Sequence, residues 1–154
     1  MARKTTMPTS IVMKRTEVFV DTGGWIAVAA EDDNYHQVAT DYFESHLQAG
    51  TRFLTSDYVL DETLTRLRYD LGHGAALRFW QQIEAAQKMA ILDILRVDEV
   101  IWSAAYEVFA QFRDQTFSFT DCTSFVLARS HSVDEVFAFD AHFAIFGFVI
   151  RPAR

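Results

Sequence analysis

The sequence has one cysteine among its 154 residues. A single cysteine excludes an internal disulfide framework and a four-cysteine zinc site, and it is typical of proteins that work in a reducing cytosol. The five histidines are scattered along the chain, without a pair at the short spacing of zinc ligands. These absences disfavour zinc and leave oxygen-rich metal sites to be considered.

Long hydrophobic runs are also missing. The longest uncharged apolar stretch near the C-terminus, AHFAIFGFVI at 141–150, is too short to cross a membrane. The N-terminal segment MARKTTMPTSIVMKRT lacks the apolar core of a signal peptide. We therefore expect a soluble cytoplasmic protein that has no membrane partner.

Basic charge is concentrated at the start of the chain. Residues 1–15 carry four basic side chains and no acid, whereas the rest carries all 21 acidic residues and the ten remaining basic ones. We expect residues 1–15 to form a flexible extension, with Met13 as an alternative start, or to make a weak nucleic-acid contact. Residues 16–154 would form one domain, because this length and a 50% hydrophobic share suit a single core.

Short apolar segments alternate with amphipathic ones. Strands are predicted at 17–20, 52–56, 90–95, 135–139 and 148–150. Helices are predicted after Asp21, over 34–50, 57–72, 73–88 and 97–112, and from Ser118 to about His131. This alternation, with strands whose centres are apolar, predicts an α/β fold whose sheet is covered on both faces. The expected architecture is a three-layer α/β/α sandwich around a mainly parallel sheet of about five strands.

Four acidic residues fall at informative places in this pattern. Asp21 and Asp140 each follow an apolar strand, and the carboxyl ends of parallel strands meet at one edge of the sheet. Asp121 lies at a helix start inside the apolar stretch FSFTDCTSF, and Glu62 lies about one and a half turns into the helix after strand 52–56. We expect these carboxylates to converge at the edge where α/β proteins bind their ligands.

Each acid also has a simpler interpretation. Ser118 and Asp121 fit the capping-box pattern, in which the acid would only start a helix. Asp21 and Asp140 could be ordinary turn residues, and Glu62 could pair with Arg66 one helical turn away. These interpretations stay open for each residue separately, but together they require four carboxylates to converge by accident.

Converging carboxylates need a compensating charge. Two of them 5 Å apart repel by about 3 kcal/mol at an effective dielectric constant of 20. A divalent cation would offset this repulsion, and Mg²⁺ or Mn²⁺ suits a set of oxygen ligands. We therefore interpret the acids as a candidate site for Mg²⁺ or Mn²⁺.

Four segments in chain order carry a family resemblance: VFVDTGGW at 18–25, LDETLTRL at 60–67, FSFTDCTSF at 117–125 and FAFDAHF at 137–143. In this order and at these separations, they resemble the PIN-domain ribonucleases, particularly the VapC-like toxins of toxin–antitoxin pairs. The resemblance covers roughly residues 17–151 and implies metal-dependent hydrolysis of RNA. The family's acidic quartet carries over onto the four acids Asp21, Glu62, Asp121 and Asp140. Its small hydroxyl residues near the metal carry over onto Thr22 and onto Thr120 or Ser124.

The resemblance further implies a homodimer and a small antitoxin that blocks the site. The aromatic-rich helices at 34–48 and 73–88 are expected to contribute to the dimer. Candidates for weak phosphate contacts are the arginines, although each could be an ordinary solvated residue: Arg66, Arg68, Arg78 and Arg113. Cys122 is expected to pack in the core as a small hydrophobic residue.

Other classes of protein also group acids at strand ends. A receiver-like phosphoacceptor domain needs a lysine after a late strand, but Lys88, which is the one lysine beyond residue 14, precedes strand 90–95. A haloacid-dehalogenase-like phosphatase needs a second aspartate where Gly23 stands. A PIN-type nuclease that processes RNA without an antitoxin, the receiver-like domain and a binding module with a degenerate site remain as alternatives.

Overall fold

The computed structural model describes residues 14–153. The strands are β1 (Glu17–Val20), β2 (Arg52–Ser56), β3 (Leu92–Leu95), β4 (Glu135–Phe137) and β5 (Ile150–Arg151). The helices are α1 (Thr22–Ala29), α2 (His36–Gln48), α3 (Asp57–Leu71), α4 (His73–Lys88), α5 (Glu99–Gln111), α6 (Phe119–Ser130) and α7 (His142–Ile145). All strand pairs are parallel, which confirms the predicted α/β fold with a five-stranded sheet.

The central strands are apolar because both of their faces are covered. Val18, Phe19 and Val20 follow one another in β1 and are all fully buried, so neither face of this strand meets water. Phe53 and Phe137 on the two neighbouring strands are also fully buried. Continuous burial of consecutive residues is what a parallel sheet between two helical layers requires.

The strand order places a ligand crevice beside β1. The order is β3-β2-β1-β4-β5. β2 and β3 are therefore added on one side of β1, and β4 and β5 are added on its other side. In open α/β sheets, the crevice lies at the carboxyl ends of the strands where this direction reverses. The crevice here lies between the ends of β1 and β4, which Asp21 and Asp140 follow.

The C-terminal segment differs from the prediction. β4 ends at Phe137, two residues early, β5 begins at Ile150, and the short helix α7 was not predicted. The uncharged run AHFAIFGFVI has no clear period, so its pattern could not separate helix from strand. The fully buried Phe143 anchors α7 in the core.

The start of the predicted domain is held by backbone and side-chain contacts. Arg15 donates its Nε–H to the carbonyl oxygen of Gly50 at 2.8 Å, and the amide of Arg52 donates to Thr16 at 2.9 Å. Most of the basic extension predicted for residues 1–15 lies outside the described residues. Within residues 14–153, no helix combines the length and hydropathy needed to cross a bilayer.

Two adjacent glycines of α1 provide a matched test of how closely this helix approaches β4. A Cβ on Gly24 would lie 2.7 Å from the carbonyl oxygen of Phe137, whereas a Cβ on Gly23 would be 4.0 Å from its nearest neighbour, the Phe139 nitrogen. We expect Gly24→Ala to lower the free energy of unfolding by roughly 1–3 kcal/mol through overpacking. Gly23→Ala should raise it by about 0.4–1 kcal/mol, because the unfolded chain loses freedom. Urea unfolding of both variants checks this, and equal effects would contradict the close approach.

Candidate active site

Asp21 is the most buried acid of the crevice. It ends β1, precedes α1, and its amide donates to the carbonyl oxygen of Phe137 at 3.1 Å, which ties β1 to β4. The residue is only 4% exposed, and its side chain makes no capping hydrogen bond to α1. Burial first, and then the charges of Asp140 and Asp121, raise the pKa of Asp21 to about 8. A hydrogen bond with the Thr22 backbone offsets part of this increase in pKa, and the charge of Glu62 adds to the increase.

The other three acids belong to the same electrostatic cluster. Burial, Asp121 and then Asp140 raise the pKa of Glu62, and the nearby Arg66 counteracts part of this shift. Glu62 is half-buried on α3, and Asp140 is exposed after β4. The structure therefore brings all four predicted acids close enough to perturb one another, and none of them lies elsewhere in the fold.

Asp121 both caps a helix and faces the cluster. Its Oδ2 accepts a hydrogen bond from the Ser118 amide at 3.0 Å, and its own amide donates to Ser118 Oγ at 3.0 Å, so both halves of the capping box are formed. The capping-box interpretation is therefore confirmed. It does not exclude the other interpretation, because the charge of Asp121 also acts on Asp21 and Glu62.

His142 is a member of the site that sequence reasoning missed. Its Nδ1 lies 3.1 Å from Oδ2 of Asp121 and 3.9 Å from Oδ1 of Asp140. Its amide donates to Oδ1 of Asp140 at 3.0 Å, which fixes the turn into α7. The only sequence signal was its position two residues after Asp140, because its contact with Asp121 depends on the fold of a segment without periodicity.

The donor chemistry of the cluster fits a hard divalent cation. The four acids supply carboxylate oxygens, which suit Mg²⁺ or Mn²⁺. Both side-chain contacts of Asp121 use Oδ2, and among residues 14–153 its Oδ1 accepts no hydrogen bond. The buried hydroxyls of Thr22 and Ser124 also lack a hydrogen-bond partner in the described part of the chain.

The four acids do not form a complete metal-binding site. Among the described residues, no group of three or more histidine, cysteine, aspartate or glutamate side chains is arranged to hold an ion. Thr120 is half-buried, and the contact it makes is through its backbone carbonyl, which accepts from Thr123 Oγ1 at 2.7 Å. The donor atoms and the mutual repulsion of these residues therefore suit a divalent cation. Their side chains would have to move closer together to bind it.

The candidate RNA-contacting arginines differ in their surroundings. Arg66 lies one turn after Glu62 on the same helix and acts on its pKa. Arg68 is placed with Nη1 2.7 Å from Nδ1 of His73, and Arg113 is exposed just after α5. Arg78 lines a groove that also contains Glu31 and Asp32, which is a poor surface for phosphate. Arg66 is therefore the arginine that the fold couples to the acids.

Cys122 takes no part in the cluster. It is fully buried, which confirms the predicted core role, and burial raises the pKa of its thiol to about 11. Such a thiol is a poor nucleophile at neutral pH, because the thiolate is the reactive form.

Comparison with known proteins gives consistent matches over most of the chain. Residues 18–149 match the family model described as the PIN domain. A curated relative, the 23S rRNA-specific endonuclease VapC20 of Mycobacterium tuberculosis, is 32% identical over 139 residues, which span 88% of this chain and 98% of the relative.

Solved structures agree with this match. The crystal structure of Mycobacterium tuberculosis VapC20, described as a sarcin–ricin loop cleaving toxin, superposes with a TM-score of 0.74 at 30% identity, covering 86% of this chain and 96% of that one. VapBC2 from Rickettsia felis, bound to promoter DNA, gives 0.66 at 9% identity over 88% and 98%. FitAcB from Neisseria gonorrhoeae gives 0.61 at 15% identity over 86% and 95%. The last two share the fold.

Proposed function

The chain belongs to the PIN-domain family, and on that premise we propose that it is a metal-dependent endoribonuclease and the toxin of a toxin–antitoxin pair. The match to an endonuclease of the VapC type extends over 88% of the chain, and the PIN-domain match over residues 18–149 includes every acid of the cluster. The observation that carries the proposal is the buried carboxyl group of Asp21, whose pKa is raised to about 8 by burial and by the other three acids. Holding like charges around a buried acid is costly unless a cation joins them.

The proposed roles of the acids follow from their positions. Asp21 and Asp121 are the best candidates to bind the metal ion, because one is buried at the end of β1 and the other keeps Oδ1 without a hydrogen bond among residues 14–153. Asp140 and Glu62 would bind it directly, through water, or at a second position. Thr22, Ser124 and Thr120 would support these ligands as hydrogen-bond partners. When bound, Mg²⁺ or Mn²⁺ activates water for attack on the phosphate and stabilises the charge that develops there.

Side chains of the protein would position the metal ligands, release a proton when the ion binds and contact the substrate. Asp21 has to lose its proton when it binds a cation, because only the carboxylate is a ligand. The capping box and His142 hold Asp121 at the start of α6, so its position is fixed before RNA arrives. Arg66 is placed beside Glu62 and would meet a phosphate group at the edge of the cluster.

Ribosomal RNA is the proposed substrate class, by likeness to the 23S rRNA-specific relative. Such a substrate would place the protein in the cytoplasm. The proposed partners are a small antitoxin and a second copy of the chain. The fold shared with toxin–antitoxin proteins supports the antitoxin, and a short reading frame for a DNA-binding protein next to the gene would support it further. A gene that stands alone would favour the alternative, which is RNA processing without an antitoxin.

The direct test is cleavage of RNA by the purified, partner-free protein. We expect cleavage of ribosomal RNA in Mg²⁺ or Mn²⁺, and its loss in EDTA, because the acids alone cannot activate water in this way. Gel analysis of total ribosomal RNA and of a synthetic loop fragment measures this. Restoration by excess Mn²⁺ after EDTA is the control. Cleavage that continues undiminished in EDTA would contradict the metal-dependent mechanism.

A further inference from the structure

Two consecutive hydrogen bonds run through the core beside the candidate active site. The indole Nε1–H of Trp25 donates to Oγ1 of Thr55 at 3.0 Å, and the Thr55 hydroxyl donates to the carbonyl oxygen of Val20 at 3.0 Å. Thr55 and Val20 are fully buried, and Trp25 is 4% exposed. We call these two hydrogen bonds the Trp25–Thr55 link. The link joins helix α1 to strand β2 and strand β2 to strand β1.

The direction of both hydrogen bonds is fixed by the groups at the two ends of the link. An indole N–H can only donate and a carbonyl oxygen can only accept, so the hydroxyl between them accepts from Trp25 and donates its single hydrogen to Val20. β1 pairs with β2 only as far as Phe19 and Leu54, so the Val20 carbonyl lies one residue beyond the paired register. The Thr55 hydroxyl therefore holds β1 to β2 at the point where β1 ends.

The link ends at the peptide group that carries Asp21. The carbonyl of Val20 and the amide of Asp21 belong to one planar peptide unit. Thr55 holds the carbonyl side of this unit from β2, and the amide side donates to the carbonyl oxygen of Phe137 in β4 at 3.1 Å. The carbonyl oxygen of Asp21 accepts from the amide of Trp25 at 3.1 Å. The backbone of Asp21 is therefore fixed from β2, β4 and α1 together.

The indole ring at the donor end of the link is itself held by two neighbouring helices. Trp25 meets Phe43 on α2 and Phe79 on α4 in edge-to-face contacts, with ring centroids 6.0 and 5.8 Å apart. Aromatic pairs in this geometry contribute stabilisation beyond the area that they bury. The donor end of the link is thus anchored among packed helices, and its acceptor end is the backbone next to Asp21.

The backbone decides where the carboxylate of Asp21 lies. Aspartate has a short side chain, and that of Asp21 makes no capping hydrogen bond to α1 that would orient it separately. We propose that Trp25 and Thr55 are positioning residues for the nuclease reaction, because their link holds Asp21 so that its carboxylate faces the metal position. This inference rests on the proposed function. A displacement of about 1 Å at a reacting group can lower a rate about 100-fold, so the position of this carboxylate matters.

Thr55→Val tests the proposal, because valine keeps the shape of the threonine side chain and removes its hydroxyl. We expect the Mn²⁺ concentration for half-maximal RNA cleavage to rise at least about tenfold, as is typical when a residue that holds a metal ligand is changed. The KM for RNA should stay the same. Without RNA, Mn²⁺ should raise the melting temperature of the variant less than that of the wild type, because this rise depends on the affinity for the ion. A variant that is only less stable would lose active protein, but its folded molecules would need no more Mn²⁺.

Further variants separate positioning from stability. Thr55→Ser keeps the hydroxyl and should restore the wild-type Mn²⁺ dependence. Leu92→Ala opens a cavity at the start of the outer strand β3, at the opposite end of the sheet from Asp21, so it should lower the melting temperature without changing the Mn²⁺ dependence. Trp25→Phe removes the indole donor and should raise the Mn²⁺ requirement less than Thr55→Val does, because Thr55 can still donate to Val20. The double variant should need no more Mn²⁺ than Thr55→Val alone, since both residues act through one link.

Circular dichroism confirms that each variant is folded, and the comparison of Thr55→Val with Thr55→Ser decides the question alone if Trp25→Phe does not fold. A Thr55→Val protein that melts lower but keeps the wild-type Mn²⁺ dependence would overturn the inference and leave the nuclease proposal standing. So would a Thr55→Ser protein that is as impaired as Thr55→Val, or a double variant in which the two single effects multiply. A wild type that neither cleaves RNA nor melts higher in Mn²⁺ would refute the proposed function, and the positioning role with it.

Discussion

Asp121→Asn is expected to lower RNA cleavage at least about 100-fold, while the stability of the metal-free protein changes by less than about 1 kcal/mol. Activity should fall because the substitution removes the charge of a metal ligand. Mutation of residues that only contact metal ligands typically lowers metal affinity or activity 10–100-fold, and loss of a ligand itself should have a larger effect. Two effects on stability oppose each other. The variant relieves repulsion with Glu62, but it loses a favourable charge at the start of α6 and weakens the contact with His142.

Two control variants separate the capping role from the chemical role. Ser118→Ala removes the other half of the same capping box, so it should cost about 0.5–2 kcal/mol of stability and retain most of the cleavage. Asp98→Asn changes an acidic cap on α5, where Asp98 accepts from the Ile101 amide at 2.9 Å, and should leave cleavage unchanged. Melting curves in EDTA and gel assays in Mn²⁺ measure both quantities. An Asp121→Asn protein that cleaves RNA as well as Ser118→Ala would show that Asp121 only begins a helix.

The sequence predicts the central sheet well because its strands have an unambiguous signature. β1 and β2 were predicted at 17–20 and 52–56, where the structure places them. Each is a segment of only four or five residues with an apolar centre, and each ends at a turn or capping residue, so its short length and its flanking residues separate it from a helix. The segment after Asp140 was predicted poorly, since its uncharged residues suit either helix or strand until Phe143 packs in the core.

Parts of the candidate site follow from the fold alone, whereas others need side-chain packing. The approach of Asp21 to Asp140 follows from two parallel strands that end at the same edge. The contact between His142 and Asp121 does not, because it depends on how α7 turns back towards α6. The sequence also presented capping and clustering as competing roles for Asp121. The structure combines them, because one carboxylate oxygen satisfies the helix start and the charge remains near the cluster.

Asp21→Asn is expected to abolish cleavage and to remove much of the pH dependence of stability between pH 4 and pH 8. The pKa of Asp21 is raised from the ordinary 3.8 to about 8, with burial as the largest cause and Asp140 as the next. In this range the unfolded chain has lost the Asp21 proton while the folded chain still holds it. The stability associated with the raised pKa is therefore fully present below about pH 3.8 and is lost as the pH rises towards 8. Asparagine does not titrate, so the variant should be more stable than the wild type by several kcal/mol at pH 9 and similar to it near pH 4, because each pH unit between the two pKa values corresponds to about 1.4 kcal/mol.

Melting curves of the wild type and Asp21→Asn from pH 4 to pH 9 measure this difference, first in EDTA and then in Mn²⁺. Asp140→Asn is the informative control: it removes the second cause of the shift but leaves Asp21 buried, so it should flatten the curve only in part. Mn²⁺ should stabilise the wild type more at pH 8 than at pH 6, because protons compete with the ion for carboxylates. Mn²⁺ should stabilise Asp21→Asn much less, because the stabilisation that a ligand gives depends on its affinity for the folded protein. Parallel curves for the wild type and Asp21→Asn would show that Asp21 is ionised at neutral pH without a cation, and the argument for a metal ion at this carboxylate would fail.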